Sequence, residues 1–130
     1  MKSFQECMTE YKLQLEKGAI QQAYRGLMAY IMELRTHLMK RHPEYSVPGT
    51  IYYGYMDMTY FAVVPPSLAA RKLKIAIVFL HEAFRFEVWL AGVNRQIQKK
   101  YWRLLNDRGW DRYPLVEPAK GVDAIVEHIL

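Results

Sequence analysis

The chain has 130 residues, with 18 Lys and Arg against 13 Asp and Glu and a formal charge of +5. Hydrophobic residues make up 52% and charged residues 24%, which excludes a disordered polyelectrolyte and sets the size of one domain, residues 1–130. The longest apolar run, broken once by Lys74, is about eight residues, far below the ~20 that cross a bilayer, and the only cysteine, Cys7, excludes an internal disulfide.

Ser3-Phe4-Gln5-Glu6 has the form of a capping box and predicts a helix start. Phe4, Cys7, Met8, Tyr11 and Leu15 then recur at helical spacing, and Gly18 predicts a left-handed stop. A second helix is expected from Ala19 to about Arg41, with Ile20, Ala23, Tyr24, Leu27, Ile31, Leu34 and Leu38 as its buried stripe. His42-Pro43 ends it, because the residue before a proline is pushed out of the helical region. Two helices joined at one glycine predict an antiparallel helical hairpin.

After a loop from Glu44 to Gly49, Ile51 to Val64 reads as one extended strand, with Gly54 marking a bend. Its alternation sets Tyr53, Tyr55, Asp57, Thr59 and Phe61 on one face. Pro65-Pro66 stops the strand, and Ser67 to Arg71 is a single helical turn. Leu73 to Leu80 is a β-branched and apolar run. Phe84 to Leu90 alternates strictly, with Phe84, Phe86, Val88 and Leu90 on one side and Arg85, Glu87 and Trp89 on the other. The short break at His81–Ala83 predicts that the two halves pair as a β-hairpin, with Phe84, Phe86, Val88 and Leu90 buried opposite Ile75 and Ile77.

Gly92 ends the hairpin, and Asn94 caps a helix from Arg95 to Asn106 with Ile97, Tyr101, Leu104 and Leu105 facing inward. Gly109 to Lys120 reads as irregular and Val122 to Leu130 as a short terminal helix. The fold class is α+β: an N-terminal helical hairpin and C-terminal helices on a small antiparallel sheet of three or four strands.

Tyr52–Phe61 (Y-Y-G-Y-M-D-M-T-Y-F), Lys74–Gly92 (K-I-A-I-V-F-L-H-E-A-F-R-F-E-V-W-L-A-G) and Asn94–Trp102 (N-R-Q-I-Q-K-K-Y-W) resemble a prokaryotic family catalogued as a domain of unknown function, number seven thousand. The resemblance covers nearly the whole chain and implies no activity, cofactor or catalytic residue. The order of elements also resembles small α+β domains of the iron-chaperone-like type, an analogy of fold that carries no function.

Asp57, Arg85, Glu87 and Trp89 are the sharpest constellation. If the strand holding Asp57 lies beside the hairpin, two carboxylates flank one guanidinium, walled by Tyr53, Tyr55 and Trp89. Such a face suits a small polar ligand. The plainer alternative is a cross-strand salt bridge on a solvated face. The expected function is therefore a ligand- or partner-binding domain; an enzyme using Asp57 or Glu87 as general acid or base is the alternative.

Arg95, Lys99, Lys100 and Arg103, with Trp102 beside them, form a basic helical face that suits phosphate contacts, and the alternative is the solvated side of an amphipathic helix. No nucleic-acid binding is expected at physiological salt. Ten tyrosines and an apolar sheet lead to the expectation of a homodimer. His81-Glu82 lacks the second histidine of a zinc-protease motif, since Arg85 stands at the fifth position, and no metal or cofactor is expected. Cys7, on the apolar stripe of the first helix, is expected to be a buried thiol. The first residues, M-K-S-F-Q-E-C, lack the apolar core of a signal peptide, and a lone thiol suits a reducing compartment, so a cytoplasmic location without membrane attachment is expected.

Overall fold

In the computed structural model, which describes residues 1–109, 115–116 and 124–130, Ser3 opens the first helix as its sequence demands. The Glu6 amide donates to Ser3 Oγ at 3.1 Å and the Ser3 amide to Glu6 Oε1 at 3.4 Å. Helix α1 spans Phe4–Lys17 and helix α2 spans Ala19–Arg41. Gly18 between them takes φ +81°, and its N–H closes the cap on the Leu15 carbonyl. Chain contacts divide the molecule into two compact units, Met1–Leu38 and Met39–Leu130. In the first, α1 has no buried residue, and Ile31 is the buried residue of α2. The expected burial of the Cys7 thiol is corrected: Cys7 is exposed, as are Phe4, Met8 and Tyr11 on the same stripe. An apolar stripe shows which side a helix offers, not that something covers it. No helix of the described residues is long and apolar enough to cross a membrane.

The second unit is built on a four-stranded antiparallel sheet in the order β1-β2-β3-β4. The strands are β1 Met58–Val63, β2 Leu73–Leu80, β3 Arg85–Gly92 and β4 Val126–Ile129. The short helix α3, Pro66–Ala69, links β1 to β2, and α4, Arg95–Asp107, follows β3. The hairpin register sets Ile75 opposite Leu90 and Ile77 opposite Val88, as the alternation requires. Its turn is one residue longer than expected and takes in Phe84, which has φ +56° and is 81% exposed. Phe84 therefore leaves the expected core set, while Phe86, Val88 and Leu90 are half-buried.

One face of the sheet carries Thr59, Phe61, Val63, Leu73 and Phe79, all buried. At one end of it Leu73, Ile125 and Val126 form a core joined by Leu68, Leu90, Ile97, Tyr101, Trp102, Leu105 and Leu115. Leu104, expected inward, is exposed instead, and Trp102 takes part in the packing. The other face carries Tyr60, Val78 and Glu87 in one row and Ala62, Ala76, Trp89 and Glu127 in the next.

Two segments differ from their sequence reading. The strand expected from Ile51 is cut down to Met58–Val63. Gly54 and Met56 take φ +71° and +64°, and the Asp57 carboxylate accepts the Tyr55 N–H at 2.8 Å. The chain thus turns back, and Tyr52 exchanges backbone hydrogen bonds of 2.8 and 2.9 Å with Tyr60. A local Asp–backbone bond competes with the sheet ladder and wins. The expected helix at Val122–Leu130 is strand β4 where it is described, because the free edge of β3 takes Val126–Ile129 as a partner. Of the irregular stretch Gly109–Lys120, residues 110–114 and 117–120 lie outside the described residues.

Candidate ligand site

Period two places Arg85, Glu87 and Trp89 in a row on β3, and hydrogen bonds join them. Arg85 Nε donates to Glu87 Oε2 at 2.8 Å, and Trp89 Nε1 donates to Glu87 Oε1 at 2.8 Å. Glu87 is 2% exposed. A buried carboxylate persists only when its charge and lone pairs are met, and here each oxygen has its own donor. The Arg85 side chain is 45% exposed, so it neutralises Glu87 from the solvent side. Glu87 in turn fixes the rotation of the Trp89 indole. Across the next strand, Glu127 stands opposite Trp89. Burial, then the nearby Glu87 charge, raises its carboxyl above the ordinary range, while Arg85 pulls the other way.

Tyr53, Tyr55 and Asp57 do not join this row. They lie in the exposed turn before β1, and β1 is separated from β3 by β2. The register puts Met58, not Asp57, on the Arg85 side of the sheet. The Asp57 carboxyl is held below its ordinary range by the Tyr55 amide first and the Met58 amide second. The turn is anchored by Thr59, whose hydroxyl lies 2.7 Å from the Tyr53 carbonyl and 2.9 Å from His81 Nε2. A carbonyl only accepts, so the single hydroxyl proton goes to Tyr53 and His81 Nε2 donates to Thr59.

A cleft of about 260 Å³ opens on the Trp89 face. Its floor is Ala76, Val78 and Ala91, and its walls are Met58, Tyr60, Lys74 and Trp89. Gly92 to Arg95 and Gln98 close one end, where α4 begins. All of these residues belong to the 39–130 unit. Short side chains make the hollow: Ala76 stands opposite Trp89, and Ala91 opposite Lys74. Gly92 lets α4 come this close. A Cβ there would lie 2.7 Å from the Gln98 amide nitrogen and 3.0 Å from the Asn94 carbonyl oxygen. Asn94 caps the helix by accepting the Ile97 N–H at 2.9 Å.

Of the residues singled out in the sequence, Trp89 and Arg95 line this cleft; Tyr60, Lys74, Asn94 and Gln98 were missed. One signal was available: Lys74 is a lone charge inside an apolar strand. The hairpin pairing also puts Ala76 and Ala91 on the Trp89 face. Arg95, Lys99, Lys100 and Arg103 are exposed on α4, while Trp102 is half-buried and packs against the Leu73–Ile125–Val126 core. Cys7, expected to be a buried thiol, is exposed. Among the described residues no group of three His, Cys, Asp or Glu side chains is placed to hold a metal ion.

No curated protein and no solved structure matches the chain. The family model of Domain of unknown function (DUF7000) matches residues 4–130, and on that match, which takes in every element from α1 to β4, the chain belongs to this family.

Proposed function

We propose that this domain is a binding module whose site is the cleft between the polar-aromatic sheet face and the start of α4. The observation that carries this reading is a hollow with a fixed aromatic wall. Ala76 and Ala91 leave the space, and Glu87 locks the Trp89 indole beside it. A site already formed before binding loses little entropy when a ligand arrives. Glu87 serves as a positioning residue, since both of its oxygens are engaged. That argues for binding over acid–base chemistry at this carboxylate.

Filling the hollow tests the reading. Small neutral and charged fragments are screened by protein-observed NMR against the parent and Ala76→Leu. The expected hits shift the Trp89 indole and Gly92 amide signals in the parent and lose at least tenfold in affinity in Ala76→Leu, where the added methyl groups occupy the cleft. Hits that cluster elsewhere, or bind Ala76→Leu unchanged, would contradict it.

A further inference from the structure

We infer that the cleft selects a small planar carboxylate: a single negative charge on a flat apolar body. The inference rests on reading the cleft as a binding site and adds the class of ligand. Charge is the first argument. Lys74 and Arg95 line the cleft and no Asp or Glu does. Among the described residues neither cation has an acidic partner. The first turn of α4 holds no acidic residue, so the partial positive charge of its amino end adds to the two cations. Glu87 and Glu127 lie on the same sheet face outside the lining, and they favour placing the anion at the Lys74–Arg95 end.

Shape is the second argument. The cleft has a volume of about 260 Å³. That is below the range for drug-sized ligands and fits about one ring with one substituent. The third argument is Trp89. Its N–H is spent on Glu87, so the indole offers a ligand its ring and no donor. With Tyr60 and Met58 as further walls, the site suits a planar body and leaves recognition of its charge to Lys74 and Arg95.

The test uses the full chain, labelled with nitrogen-15, titrated separately with benzoate, benzamide and inorganic phosphate. Benzoate should shift the Trp89 indole signal and the Lys74 and Gln98 amides, with benzamide and phosphate each about tenfold weaker or more. Lys74→Gln and Arg95→Gln should each weaken benzoate roughly tenfold, the scale of a lost charged hydrogen bond, and leave benzamide unchanged. Lys74→Arg should keep benzoate binding, and the spectrum of each variant reports whether it folds. Equal binding of benzoate and benzamide, or indifference to both cation variants, would overturn the charge assignment and leave the cleft reading standing. Phosphate binding as tight as benzoate would overturn the planar body. Benzoate that shifts only signals outside the cleft, or none, would overturn the inference, and the Ala76→Leu comparison would then decide the cleft itself.

Discussion

Tyr52–Met58 and Phe84–Leu90 share their ingredients as sequence, each setting one carboxylate among aromatic and apolar residues. The second is the core of a strand flanked by β2 and β4, whereas the first is mostly a turn. Glu87 in the strand is 2% exposed with both oxygens bonded, and its bonds orient a neighbouring indole. Asp57 in the turn is exposed and spends its carboxylate on the chain's own amides. The same pair of ingredients, a carboxylate among aromatics, thus builds a positioned wall in one place and a chain reversal in the other. The deciding residues are Gly54, which takes φ +71°, and Asp57, which closes the turn.

The sharpest way to break this contrast is Glu87→Ala. It leaves a buried hole, strands the indole N–H of Trp89 and frees its rotation. A loss on the order of 2 kcal/mol is expected from urea denaturation, together with a broadened Trp89 indole signal. An unchanged midpoint and a sharp signal would mean that the row is decoration on a solvated face. Gly54→Ala comes next. A Cβ at that glycine would collide with the Met58 carbonyl oxygen and approach Asp57 Oδ1 within 2.6 Å. With the positive φ, the expected cost is about 1–3 kcal/mol, confined to the turn as seen in the Tyr52 and Tyr60 amide shifts. Little change would show that the turn has another determinant.

The smallest effect is in pH. The folded state raises the Glu127 carboxyl above its ordinary value of 4.5, so it holds that proton more tightly than the unfolded chain does. Its contribution is favourable below that pH and is lost as pH rises through the raised value. Glu127→Gln should therefore flatten the fall in stability from pH 4.5 upward, relative to the parent. Parallel pH profiles for the two proteins would show that folding does not raise the Glu127 carboxyl.

Much of the fold is legible in the residues. The capping box at Ser3, the stop at Gly18, the pairing of Leu73–Leu80 with the Arg85 strand and the Asn94 cap each rest on a strong local signal. Strand β4 is not legible, because Val126–Ile129 becomes a strand only where β3 offers an edge. Exposure of the α1 stripe is equally invisible, since periodicity names a face and not its cover. At the site, the Arg85–Glu87–Trp89 row follows from period two alone. The cleft does not: it depends on which side chains are absent at Ala76, Ala91 and Gly92, and on α4 closing one end. A sequence advertises the groups it has more plainly than the space it leaves.

The most direct test of the cleft is a crystal structure of the full chain soaked with a mixed set of small planar fragments, neutral and charged. Density for a fragment stacked on Trp89 between Tyr60 and the start of α4, with Glu87 still bonded to the indole N–H, is the predicted result. An empty cleft beside fragments bound elsewhere on the surface would contradict the account.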